Sequence, residues 1–513
     1  MEDTRTHNVI RNVSWAVPLE VILMILQFIS RTFFVRYLGK EYLGLTGLFS
    51  EIIMILDLAS LKIPDAITIS MYKPLAEKKM DKVLALLRLI GKVYSIGGIV
   101  VMALGLAIIP FLGYIIKDPP NIPEKFVIIY LFYLFQSVVT YFLCYKQSII
   151  FADQKRYVCK IYQKVFHFIQ IILQIVILLT VRNFYLFIAA QVVSMLTMNI
   201  LASRKAEKMY PFIKEKNTYK LMKEEISEIV VNVKSLFIYG LASTVILGID
   251  SILVSSIVGI GILGLCSNYM LIINSVRALI EQIMLGFTAS VGNLNAKEDM
   301  EATENVFNQV FFIAFIIHAF CTINLSVSLN SLITVWIGDN FLIAQSIVIS
   351  MVLRFYVQGT QYVIFIFRST LDLLKKLKYI PLITAGVNIV LSIVMGRYFG
   401  AAGIFFASSI AIFFFTVLPE TYLLYTYKFK KKMRSFIIRY LGYLAFMGIN
   451  YLITDKILSM IIFTGWIGFF AKASLGAVIS GLLFIIVFFK DNNFMAICTR
   501  LLYIIKLKKS SKK

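Results

Sequence analysis

Charge is scarce in this chain. Only 15% of its 513 residues are Asp, Glu, Lys or Arg, whereas an ordinary soluble domain has about 25%. Histidine is limited to His7, His167 and His318, and cysteine to Cys144, Cys159, Cys266, Cys321 and Cys498. None of these stands at metal-ligand spacing or in a Cys-x-x-Cys pair, so no metal site and no disulfide framework is expected. The cysteines read as packing thiols. There is no glycine-rich loop followed by Lys and Ser/Thr, which argues against ATP hydrolysis within the chain. No polar stretch much exceeds about 25 residues, short of what a soluble catalytic domain needs. The polar start MEDTRTHNVIRN has no apolar core with a cleavage site, so the first helix is expected to act as its own insertion signal.

What the chain has instead is apolar length. Hydrophobic residues make up 59% of it, and the mean hydropathy is +0.83. Apolar runs of about 20 residues recur from end to end, each long enough to cross a hydrocarbon core about 30 Å thick. They predict an all-α integral membrane protein with about fourteen transmembrane helices, near 12–35, 43–73, 83–116, 126–151, 158–181, 184–202, 229–257, 262–290, 306–337, 342–371, 379–397, 401–427, 434–454 and 461–489. The closing segment NNFMAICTRLLYIIKLKKSSKK is too short and too basic to span, and reads as an interfacial helix with a lysine tail.

The net charge of +23 invites a nucleic-acid reading, but its placement argues otherwise. Loop 203–223 holds seven Lys/Arg, loop 428–439 holds six, and the tail from Lys490 holds seven. The loops on the other side together hold Arg36, Lys40, Lys117, Lys125, Arg182, Arg397 and Lys456. This asymmetry follows the positive-inside rule and places both termini in the cytoplasm. The charge is topological, and no nucleic-acid partner is expected.

The chain also repeats. Residues 31–76 and 251–296 share ten identities in 46 ungapped positions, among them Gly39/Gly259 and Leu43-Gly44-Leu45/Leu263-Gly264-Leu265. Chance in this composition gives roughly four. Six helices precede the basic loop and six follow it before Lys428. An even number per repeat keeps both copies in one orientation, so the lobes are parallel repeats related by an axis along the membrane normal. The expected domains are an N-lobe at 1–215, a C-lobe at 216–430, and accessory helices with the basic tail at 431–513.

Charges within these helices are expensive, about 2.5–3.5 kcal/mol each on insertion scales, and normally face protein or water. Glu20, Lys146, Lys234, Glu420 and Lys472 lie near predicted helix ends, where snorkelling accounts for them. Arg31, Asp57, Lys62, Asp250, Arg277, Glu281, Arg354 and Arg368 lie deeper and are the candidate translocation residues. Asp57 and Arg277 occupy the same repeat position, and Asp250 falls one residue from the equivalent of Arg31. Such a set can line a hydrated cavity between lobes, with arginines gripping a phosphate through paired N–H donors. The bland alternative is a set of buried ion pairs that pin helices together. Pro64 removes a helical hydrogen bond and predicts a kink or hinge near Lys62-Ile63-Pro64-Asp65.

The run FFVRYLGKEYLGLTGLFSEIIMIL, followed by SMYKPLAEKKMDKV, resembles bacterial polysaccharide (O-antigen or capsule repeat-unit) flippases. The runs GIDSILVSSIVG, SNYMLIINSV, FTASVGNL, VWIGDNFL and YFGAAGIFFA resemble the same family in the same order. That family lies in the multidrug/oligosaccharidyl-lipid/polysaccharide exporter superfamily. The resemblance implies two six-helix lobes plus two extra helices, and alternating-access transfer of an undecaprenyl-pyrophosphate-linked oligosaccharide across the bacterial cytoplasmic membrane. It implies no enzymatic activity and no cofactor, with coupling to a proton or sodium gradient as an option. Membrane lipids, a polysaccharide polymerase and glycosyltransferases are the implied surroundings. Asp250 matches the family's acidic residue in helix 7, and Ser290, Gly292 and Asn293 its helix-8 motif. The chain departs from it at Leu58-Ala59-Ser60-Leu61-Lys62-Ile63-Pro64, where relatives read LAELGIG, and at Arg277, where a small polar residue is usual.

Two other readings compete. A cation-coupled multidrug antiporter on the same scaffold would prefer an acid-rich cavity. A membrane-embedded polymerase or acyltransferase would want a large outer loop or an intramembrane histidine with partners. If Asp57 and Arg277 pair in one conformation, exchanging the two charges restores part of the export that either single reversal removes, measured as surface glycan per membrane protein.

Overall fold

The computed structural model describes residues 22–215, 219–295, 300–370, 379–462, 464–491 and 493–495; at 58–66, 228–239, 241, 247, 283, 285–295 and 370 it describes the backbone alone. Fourteen long helices follow one another: α1 (22–37), α2 (Lys40–Ser70), α3 (Met80–Ile108), α4 (Phe126–Cys144), α5 (Arg156–Thr180), α6 (Phe184–Met209), α7 (Lys223–Leu253), α8 (Ile260–Asn295), α9 (Met300–Ile337), α10 (Gln345–Thr370), α11 (380–399), α12 (401–429), α13 (Arg434–Ser459) and α14 (Gly465–Phe488). Each falls on one predicted span. Gly400, at φ 61°, separates α11 from α12 within one long apolar run.

The largest boundary shifts occur where polar residues begin a helix. α7 starts at Lys223 rather than 229, because Glu225 folds back to accept the Met222 amide at 2.9 Å and so caps the first turn. Acidic residues there also suit the positive end of the helix dipole. α2 runs without interruption through Pro64, so the expected hinge is not an unwound segment in this conformation. The side chains of Lys62, Pro64, Ser290 and Asn293 lie outside the described residues, as do Glu20, the predicted basic turn at 371–378 and the C-terminal tail from 496.

Two compact units emerge from the packing, residues 1–264 and 265–513. The sequence-based lobe boundary stands at 215/216, whereas α7 packs along α2 inside the first unit. There α2 also meets α3, α3 meets α4, and α6 lies against both α4 and α5. In the second unit α9 is central, packed on α10, α13 and α14.

The distribution of polarity suits a hydrocarbon solvent. Ile96, Val390 and Ile467 are 63%, 61% and 87% exposed, while Gln147, Gln174, Asn199 and Asn388 are buried. Ten apolar stretches among the described helices are long enough to cross a membrane. The α13–α14 pair is held to α9 by interlocked aromatics, with Phe315 stacked on Tyr443 at 3.9 Å between centroids. Polar groups also bridge them. Asn324 donates to the Ser480 hydroxyl at 3.0 Å, and Asn450 to the Ser480 carbonyl at 3.2 Å. Truncating Phe315, which is fully buried, leaves a cavity in this stack; Phe315→Ala is expected to cost about 3–5 kcal/mol and to lower the melting temperature in detergent. Ile467→Ala is expected to leave that temperature unchanged.

Candidate functional site

A cavity of about 510 Å³ lies within the first unit, walled by three helices that bring both apolar and polar side chains to it. α2 contributes Ser50, Ile53, Met54 and Asp57, which share one face by their three- and four-residue spacing. α4 contributes Tyr133, Gln136, Ser137, Thr140, Tyr141 and Cys144 by the same spacing, and α6 adds Gln191 and Met195.

Asp57 organises the floor of this cavity. The Ser137 hydroxyl donates to its carboxylate, and the Tyr141 hydroxyl donates to its main-chain carbonyl at 2.7 Å. Both partners come from α4, so the carboxylate and the backbone of α2 are fixed against the facing helix. Across the cavity Gln191 donates to the Gln136 side-chain oxygen at 3.1 Å, and the Gln136 amide reaches the Met195 sulfur at 3.0 Å. Sulfur is a weak acceptor, which leaves this amide ready to turn to a better one. The polar strip continues as Gln147 donates to Asn199 at 3.1 Å, both fully enclosed. Arg31 stands beside Tyr133 at the cavity wall, with Thr46 and Ser50 as hydroxyl partners of that tyrosine.

The remaining candidates are placed apart from this cavity lining. Asp250 is buried on α7, the helix that lies along α2. Two residues earlier, Gly248 gives Glu51 of α2 room, since a methyl group there would come within 3.0 Å of its carboxylate. In the second unit Arg277 and Glu281 share a helix face at 3.8 Å, and Arg277 also donates to Gln358 at 3.1 Å. Both are partly exposed, and Arg354 is half-buried on α10.

Arg368 has a different position from the one expected. It is fully buried and bound to Glu420 at 2.5 Å, with Gln361 donating to the other carboxylate oxygen at 3.2 Å. Glu420 is likewise 0% exposed, so it does not snorkel. The reason is local: two π-helical turns, Phe413–Val417 and Leu424–Phe429, flank it within α12. Arg368 and Glu420 thus form an enclosed pair, while Asp57 lines the cavity and Arg31 stands behind it beside Tyr133. Lys146, read as a helix-end charge, pairs with Glu207.

The cavity's neutral members, Gln136, Ser137, Thr140 and Gln191, were missed by reasoning from charge alone. Their signal in the sequence is the polar stripe Tyr133, Gln136, Ser137, Thr140, Tyr141 on an otherwise apolar helix.

The architecture has known counterparts. No protein-family model matches the chain, and no curated protein sequence does. Among solved structures it is similar to lipid II flippase MurJ in an inward closed conformation, with TM-score 0.63 and 16% identity, over 92% of this chain and 98% of that one. It is also similar to an inward-facing multidrug resistance MATE family transporter of the MOP superfamily, with TM-score 0.60 and 13% identity, over 78% of this chain and 93% of that one. The chain shares the fold of these two structures. A point mutant of the Vibrio cholerae MATE transporter VcmN follows at TM-score 0.51 and 14% identity, over 80% of this chain and 95% of that one. The fold is all-α, with two sets of six helices followed by a C-terminal pair.

Breaking the enclosed ion pair should be worse than deleting it. Arg368→Met or Glu420→Gln alone strands a buried charge or its partner and is expected to cost about 3–5 kcal/mol. The double variant Arg368→Met/Glu420→Met is expected to recover most of that loss, read as melting temperature and yield in detergent.

Proposed function

We propose that this chain is a flippase that carries an undecaprenyl-pyrophosphate-linked oligosaccharide repeat unit across the bacterial cytoplasmic membrane by alternating access, for surface polysaccharide synthesis. The observation that carries this reading is the chemistry of the cavity. Its lining offers two side-chain amides, five hydroxyls and one carboxylate. Hydroxyl-rich sugars are recognised by such neutral donors and acceptors at fixed positions, with an acid to anchor one or two hydroxyls. Arg31 and Arg277 are the guanidinium groups proposed to grip pyrophosphate oxygens in pairs. The prenyl tail stays in lipid.

Two further points favour this over a multidrug antiporter. Asp57 is the single acid in the cavity lining, whereas a cationic drug calls for more negative charge. The similarity to the lipid II flippase also takes in 92% of the chain, against 78–80% for the MATE transporters. In this reading the lobes are 1–215 and 216–430, residues 431–513 form the accessory part, and both termini are cytoplasmic. A proton or sodium gradient is the proposed energy source, and the polymerase and glycosyltransferases that use and make the glycan are the proposed neighbours.

The test is export of surface glycan. Arg31→Ala, Arg277→Ala, Asp250→Ala and Asp57→Asn are each expected to reduce it at unchanged membrane protein level. Gln136→Leu and Gln191→Leu are expected to do so for some glycans and not others, because they remove hydrogen bonds to hydroxyls rather than charge. Normal surface polysaccharide in all six variants would overturn the proposal.

A further inference from the structure

The repeat read in the sequence returns in the structure as a contact. At the end of the first unit opposite the basic loop, a side-chain carbon built on Gly44 of α2 would lie 2.3 Å from the carbonyl oxygen of Ile260. One built on Gly264 of α8 would lie 2.0 Å from the carbonyl oxygen of Lys40. Gly44 and Gly264 occupy equivalent repeat positions, and so do Lys40 and Ile260, each four residues earlier. The contact is therefore reciprocal: each glycine receives the same backbone oxygen from the other repeat. Only glycine permits it, because atoms cannot approach to about 2 Å without bonding. Gly47 and Gly261, three residues along the same helices, have nothing within 4 Å of an added carbon. Two glycines are thus fitted to the crossing and two beside it are not.

The corners that deliver these helices repeat as well. α1 turns into α2 at Gly39 with φ 92°, and α7 turns into α8 at Gly259 with φ 138°, a region that favours glycine. Before Gly259, α7 ends in the π turn Val254–Val258. Segment 115–117 satisfies that turn. The Lys117 amide donates to the Ser255 carbonyl at 3.3 Å, its ammonium to the Ile257 carbonyl at 2.7 Å, and the Ser255 hydroxyl to the Ile115 carbonyl at 2.9 Å.

We propose that this glycine crossing is a separable latch, closed in this structure, which holds the α7–α8 corner against the α1–α2 corner and opens during the transport cycle. Three observations carry the step from contact to latch. The division between compact units falls at Gly264/Leu265, so α8 begins in one unit and continues in the other. The crossing joins main-chain oxygens to glycine carbons, a weak contact that water at a membrane interface can replace. The permanent cores are knit differently, by interlocked side chains such as Phe315 and Tyr443. A π turn next to a positive-φ glycine also provides a place for the corner to swing. The proposal concerns opening at one end of the bundle and holds for any cargo.

The test uses the full chain in detergent with its native cysteines replaced by alanine and Ser255→Cys added. Position 255 is fully buried, so its thiol reports opening. Gly264→Leu or Gly44→Leu is expected to raise labelling by a water-soluble maleimide at least about tenfold, the overpacked crossing favouring the open state. Gly261→Leu and Gly47→Leu are expected to leave labelling as it was. A second readout pairs Ile115→Cys with Ser255→Cys: the disulfide should form with the native glycines and fall in yield with Gly264→Leu. If Gly264→Leu does not reach the membrane, Gly44→Ala against Gly47→Ala carries the same comparison. Equal labelling of the two members of a pair, or equal disulfide yield with and without the leucine, would overturn the latch.

Discussion

Inside a bilayer, helices gain nothing from hiding apolar surface, because the lipid is as apolar as they are. What holds this chain together must therefore come from close approach and from polar groups satisfied within the protein. Each supplies part of the structure. Close approach appears where Gly248 lets α7 lie against Glu51, Met54 and Ile55 of α2. Polar satisfaction appears where Arg368 and Glu420 enclose one another, and where Asn324 and Asn450 converge on Ser480. Shape fills in between, through the aromatic ladder that joins α9 to α13 and α14.

The same constraint explains what could be read from the sequence. Fourteen helices were legible because a helix in lipid must carry apolar residues over most of its length. Their ends were less so, because a cap such as Glu225 at Met222 turns a charged stretch into a first helical turn. The repeat was legible only in part. Gly39 and Gly259 stood out as identities, but the positive φ that gives them meaning belongs to the backbone.

Within the site, Arg31 and Asp57 were legible because a charge at membrane depth demands a reason. Ser137, Gln136 and Gln191 were not, since a neutral polar residue in a membrane helix is cheap and points nowhere until a neighbouring helix faces it. Glu420 was misread for a related cause. It sits close to the end of its predicted span, where a charge can reach water, but two π turns keep its helix running and hold it inside. Charge and depth can be taken from a sequence; the direction in which a side chain points depends on the turns around it.

These elements meet on α2. One face of it forms a wall of the cavity through Ser50, Met54 and Asp57, its length carries α7, and its first turns carry the glycine crossing. Gly44 and Asp57 are thirteen residues apart on an unbroken helix, about 20 Å along a stiff rod. The other two cavity walls, α4 and α6, belong to different helices, so any tilt of α2 against them changes the cavity's shape. Ser137 and Tyr141 resist that tilt, because both tie α4 to the same residue, Asp57. A ligand that drew Ser137 away from the carboxylate would loosen this tie about midway along α2, at a distance from the crossing.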